Sequence, residues 1–167
     1  ALEVGCGDGF GTPILAQAVA HLDCIDWEPR NIEGNKRRLK HLKNTNFLEL
    51  DVSANEIEGK YDAILSIDVI EHLEPEFEKP FMENQINALN KEGILITGTP
   101  NVTASQYATF RSDHQHINLN YFLTKESFYK NLYNKLIGLI LNKMVILLLE
   151  IIDQDQMDLI LNRILLV

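Results

Sequence analysis

Cysteine is scarce in this chain. There are two, Cys6 and Cys24, with no metal-ligand spacing between them. A disulfide framework is therefore not implied, and a reducing compartment such as the cytoplasm is expected. Positive charge is scarce as well: Lys and Arg number 15 against 24 Asp and Glu, a net charge of −9. That balance argues against a nucleic-acid partner without excluding one, because charge can be segregated by face. No signal peptide is visible. The initiator methionine is missing, and the chain opens inside an apparent strand, "ALEV", as expected of a fragment or a processed chain whose N-terminal segment lies elsewhere. A membrane span is not expected, because Lys143 and Glu150 interrupt the longest apolar run.

What is present suits one folded domain. The chain has 167 residues, 46% of them apolar, enough to bury a core. Short apolar runs alternate with helical stretches. "ALEV", "LDCID", "NFLELD", "YDAILSI" and "KEGILITGTPN" read as five strands. "TPILAQAVAH", "PRNIEGNKRRLKHLK" and "EPEFEKPFMENQINALN" read as the helices between them. Strands separated by helices imply right-handed crossovers and a mostly parallel sheet, a three-layer, doubly wound α/β fold.

From 134 to 167 aromatic residues, proline and histidine vanish, and Leu, Ile, Asn and Lys dominate. Two readings of this tail stand side by side. It supplies the last strands of the sheet, through a hairpin at Asn142-Lys143 whose final strand runs antiparallel to the rest. Or it is the frameshifted end of an AT-rich gene. A buried helix fits the same apolar pattern.

Glycines at 5, 7, 9 and 11 lie between the first strand and the first helix, in "EVGCGDGFG". Glycine is needed where backbone turns with positive φ or presses against a ligand. Asp26 ends the second strand about twenty residues on, where a carboxylate can accept the ribose hydroxyls of a nucleoside. Asp51 closes the third strand in "LELDVS", and Ser66 lies at the end of the fourth. The G-x-G-x-G spacing differs from the G-x-G-x-x-G of dinucleotide enzymes, which disfavours an NAD-dependent oxidoreductase.

With Glu3 two residues ahead of Gly5, the turn resembles motif I of the class I S-adenosylmethionine-dependent methyltransferases. The resemblance covers residues 1–133 and implies a cofactor-binding domain there, with 134–167 as an atypical apolar tail. It implies contacts to the cofactor from Glu3, Gly5, Gly7, Asp26 and Ser66, with Trp27 against the adenine and Asp51 on its amino group.

"DVIEHLEP" follows the fourth strand, on the side where open parallel sheets bind their ligands. In a helical turn, Asp68, Glu71 and His72 share one face, since residues three and four apart are neighbours. A histidine here can remove the proton of an acceptor hydroxyl. "DVIEHLEP…TGTPN…DHQHINLNYFLTKESF" resembles two branches of the family. One is the small-molecule O-methyltransferases of the ubiquinone and sugar type. The other is the small-RNA ribose 2′-O-methyltransferases, whose acids and histidines hold a Mg²⁺- or Mn²⁺-type ion. Carried over, the second branch implies Asp68, Glu71, His72 and His116 as metal ligands, with Asp in place of the first Glu. Catalytic roles fall on His72 and His116. The expected acceptor is a small molecule or sugar; a metal-dependent RNA enzyme and a non-catalytic nucleotide-binding fragment are the rivals. His21, His41 and His114 are expected at the surface.

Overall fold

The computed structural model describes residues 1–99 and 144–148. The chain folds in the order β1 (Leu2–Val4), α1 (Thr12–Ala18), β2 (Leu22–Asp26), α2 (Pro29–Arg38), β3 (Thr45–Glu49), β4 (Tyr61–Ile67), α3 (Pro75–Ala88), β5 (Leu89–Gly98) and β6 (Met144–Leu148). The sheet order is β3-β2-β1-β4-β5-β6, and every neighbouring pair is parallel. Because β1 lies between β2 and β4, the sheet reverses direction of growth beside β1. Ligands of doubly wound sheets sit at such a switch point.

Alternation along the strands divides the core in two. Leu2 and Val4 of β1, Ile25, Ile64 and Leu95 turn to one face, where they pack with Phe81, Met82 and Ile86 of α3. Cys24, Leu65 and Ile96 turn to the other, with Leu15 and Ala16 of α1 and Ile32 of α2. Both faces of the inner strands are covered, so β4 and the second half of β5 read as nearly continuous apolar runs, as buried parallel strands do. Cys6 and Cys24 are free thiols inside this core.

The element pattern expected from sequence is present, with differences at the ends. β2 and β4 match "LDCID" and "YDAILSI" residue for residue. α2 stops at Arg38, five residues short of its expected end. Its last turn holds Lys36, Arg37 and Arg38, cations that complement the terminal carbonyls. β3 ends at Glu49, so Asp51 lies two residues beyond the strand. α3 passes directly into β5 at Leu89, leaving no loop between helix and strand. The tail does contain a strand, β6, but it runs parallel to β5, from Ile94 opposite Met144 to Gly98 opposite Leu148. That corrects the expected antiparallel final strand: the segment after Asn142-Lys143 runs with β5 and not against it, and a parallel neighbour is reached by a crossover longer than a tight turn. The rest of the tail lies outside the described residues.

Candidate functional site: the carboxyl ends of the strands

The glycine turn leaves β1 with Gly5 at φ +72° and Gly7 at φ +52°, backbone that side chains other than glycine rarely adopt. The two glycines answer different needs. Gly5 is pressed by protein: a Cβ there would lie 3.1 Å from Val69 Cγ1 and closer still to Cγ2. Gly7 faces open space: among the described residues no heavy atom lies within 4 Å of where its Cβ would be. A glycine the protein itself does not crowd is where a ligand can lie against the main chain.

Asp26 ties this turn to the end of β2. Its Oδ2 accepts from the Gly7 N–H at 2.8 Å, and its Oδ1 from the Glu28 N–H at 2.9 Å and Asn31 Nδ2 at 3.3 Å. A carboxylate has about four acceptor positions, so Oδ2 retains room for another donor. The side chain is buried. Trp27 beside it is 70% exposed. A large ring left in water next to a buried acid is available to a flat ligand. Asp51 is exposed and uses Oδ1 alone, accepting from the Ser53 N–H at 2.9 Å and the Ser53 hydroxyl at 2.6 Å.

Glu3 points to the α1 face. Its Oε2 accepts from Thr12 Oγ1 at 2.6 Å and Cys24 Sγ at 3.2 Å. Burial pushes its carboxyl above the usual range, against those two hydrogen bonds. Burial also pushes the Cys6 thiol up to about 12, so it is no nucleophile at neutral pH. Ser66 Oγ, opposite Val4 on β1 and Thr97 on β5, is buried without a hydrogen-bond partner, and so is Thr97 Oγ1. Buried hydroxyls in that state commonly await a water or a ligand.

The segment after β4 departs from the expected helical face. Asp68 sits at φ +54°, its N–H bonded to Gly98 O at 3.0 Å. Only Ile70–His72 forms a helical turn, of the tighter 3₁₀ kind. Adjacent residues of that turn point opposite ways: Glu71 is fully buried and His72 exposed. Glu71 Oε2 accepts from Thr99 Oγ1 at 3.2 Å, while Oε1 has no partner. Burial pushes this carboxyl up to about 7; its own backbone N–H and Thr99 pull it down, and the Asp68 charge pushes it up. A single helical face presenting Asp68, Glu71 and His72 is thus corrected. Among the described residues no three acids, histidines or cysteines are grouped to hold a metal ion. The fourth expected ligand, His116, lies outside the described residues, and so does His114. His21 and His41 are exposed, as expected.

Sequence reasoning missed the side chains that hold the turn from behind, Asn35 above all. The signal was present, since Asn35 falls on the same helical stripe as Ile32 and Leu39.

Comparison with known proteins agrees with this geometry. Residues 2–95 match the family model described as "Methyltransferase domain". A ubiquinone biosynthesis O-methyltransferase of Rickettsia typhi is 32% identical over 111 residues, 64% of this chain and 43% of that protein. Nodulation protein S of Sinorhizobium fredii is 30% identical over 100 residues, 59% of this chain and 46% of that one. The crystal structure of N-methyltransferase NodS from Bradyrhizobium japonicum, in complex with S-adenosyl-L-homocysteine, superposes with a TM-score of 0.52 at 27% identity, covering 55% of this chain and 47% of that one. The chain thus spans less than half the length of these two curated relatives. A switch-point glycine turn with its acid at the end of β2, and a family model matching more than half the residues, together place the chain in the methyltransferase-domain family, the class I S-adenosylmethionine-dependent methyltransferases.

Proposed function

We propose that the chain carries the cofactor-binding part of a methyltransferase that transfers a methyl group to an oxygen of a small molecule or sugar, in a reducing compartment such as the cytoplasm. The observation that carries the reading is the open face of Gly7, whose N–H is held by Asp26 beside an exposed Trp27. The relatives named as ubiquinone O-methyltransferases support oxygen as the acceptor atom; those named for N-methylation make nitrogen the alternative.

When bound, S-adenosylmethionine supplies a methyl group already activated on a sulfonium sulfur. The chain's own residues bind and orient it. Asp26 takes a ribose hydroxyl on the free capacity of Oδ2, and Trp27 covers the adenine ring. Asp51 accepts from the adenine amino group through Oδ2, since Ser53 occupies only Oδ1. Ser66 Oγ gains at the end of β4 the partner it lacks. Glu3, held by Thr12 and Cys24, supports the turn from below. His72, exposed at the same edge, takes the proton of an acceptor hydroxyl.

Calorimetric titration with S-adenosylhomocysteine, with and without Mg²⁺ or Mn²⁺, tests this. Saturable binding indifferent to the metal is expected. Binding that requires the metal favours the RNA-ribose branch, with Asp68, Glu71, His72 and His116 as ligands. No binding, or binding of NAD instead, removes the reading.

A further inference from the structure

The cofactor turn is held from a second direction, by helix α2. Asn35 is fully buried, and its Nδ2 donates to Gly7 O at 2.9 Å and lies 3.6 Å from Cys6 Sγ. Its Oδ1 accepts from Arg38 Nη2 at 2.7 Å, and the same Nη2 donates to Asp8 O at 2.5 Å. The carbonyls of two successive turn residues are therefore fixed by side chains one helical turn apart. Gly9 has no room for a side chain on this side, since a Cβ would lie 2.6 Å from Asn35 Oδ1 and 2.8 Å from Leu39 Cδ1.

Gly34 makes the arrangement possible. A Cβ on it would lie 2.7 Å from Arg38 Nη1, so the guanidinium lies back across bare helix backbone. Glycine inside a helix is destabilising relative to alanine. The bare position leaves the Arg38 guanidinium its present path, which a methyl group there would force to shift.

We propose that Asn35 and Arg38 form a brace that positions the Gly7–Asp8 backbone for S-adenosylmethionine, with Gly34 as the gap that lets Arg38 reach it. Asp26 holds the N–H of Gly7 and Asn35 holds its carbonyl, so the two peptide units that flank the Gly7 Cα are each tied to a side chain. A turn fixed before the ligand arrives loses less freedom on binding, and affinity rises accordingly. Arg38 and Asn35 are positioning residues: they act through the turn and leave the reacting atoms to others. This inference rests on the reading of the glycine turn as the cofactor contact.

The test uses three variants of the chain, Arg38→Ala, Arg38→Lys and Gly34→Ala, with Asp26→Ala alongside. S-adenosylhomocysteine affinity is measured by calorimetry, and the melting temperature is measured without ligand. Arg38→Ala and Gly34→Ala should each weaken binding by about 3- to 10-fold, the scale of one or two net hydrogen bonds. Arg38→Lys, which keeps a donor, should recover part of that loss. Gly34→Ala is the decisive variant. Alanine favours the helix, so its melting temperature should hold or rise while affinity falls, a split that a purely structural role does not produce. Wild-type affinity in Arg38→Ala and Gly34→Ala, with Asp26→Ala impaired, overturns the brace and leaves the turn as the cofactor site. Wild-type affinity in all of them, Asp26→Ala included, overturns both.

Discussion

Replacing Gly5 with alanine separates two demands that the turn makes on one residue. The first is conformational: holding alanine near φ +72° costs about 1–2 kcal/mol. The second is steric. The new methyl lies 3.4 Å from Val69 Cβ, 3.1 Å from Cγ1 and well inside contact with Cγ2, all fixed by the turn after β4. Overpacking of this kind costs about 1–3 kcal/mol, so Gly5→Ala should lose about 2–5 kcal/mol in all. Val69→Ala removes the two offending methyls and loses about 1 kcal/mol of apolar burial, Val69 being partly buried. If the clash is real, the double variant relieves the steric share and keeps only the conformational one. It should then be about 1–3 kcal/mol more stable than the sum of the singles predicts. Urea denaturation followed by far-ultraviolet circular dichroism measures all four proteins; the exposed Trp27 is a poor fluorescence probe of global unfolding. Additivity within about 0.5 kcal/mol would falsify the claim that Gly5 is bare for the sake of Val69, leaving φ as its sole reason.

Asp26→Ala should weaken S-adenosylhomocysteine binding by about 1–3 kcal/mol, the scale of leaving buried donors unpaired; calorimetry showing unchanged affinity removes Asp26 from the site. His72→Ala should keep that affinity and lower turnover by about 10²- to 10⁴-fold, and a parallel loss of cofactor binding would show that His72 holds structure instead. Glu3 gives a pH dependence. Its carboxyl is held above the usual range by burial, so its stabilising contribution is full below the unfolded pKa and is lost as pH climbs through the folded one. Glu3→Gln, which cannot ionise, should therefore lose less stability than the wild type as pH rises through and above the ordinary carboxylate range. Parallel stability curves over that range refute the buried-acid account of Glu3.

The inner strands were legible because both of their faces are covered and their buried stretches read as apolar runs, while the edge strand β3 buries Phe47 alone. β2 and β4 carry no ambiguous residue at either end and were read in full. Asp26 was legible for a related reason: an acid ending a buried strand stands out against its neighbours. α2 was harder, because the run 39–43 keeps helical spacing through Leu39 and Leu42 although the chain must already turn back toward β3. Periodicity records which residues face the core, not where backbone hydrogen bonding stops. Asn35 was overlooked because a polar residue in a charged helix looks solvated. Its place on the stripe of Ile32 and Leu39 was the overlooked sign that its amide has a partner indoors.

The acids and histidine after β4 show the limit most clearly. In sequence, Asp68, Glu71 and His72 are three ionisable groups at one strand end, equally available to a metal or a proton. In the fold they part, and the cause is the geometry of a single turn. Asp68 takes a left-handed conformation that costs a residue other than glycine about 1–3 kcal/mol. The bond from its N–H to Gly98 O joins the turn to β5, and Val69 is set against Gly5, just past the end of β1. With both ends held, the 3₁₀ turn carries Glu71 inward to Thr99 and leaves His72 outward. The inward acid joins the ends of β4 and β5, while the histidine stays at the exposed edge. The same turn thus separates a buried carboxyl from an exposed imidazole, a division no spacing rule contains.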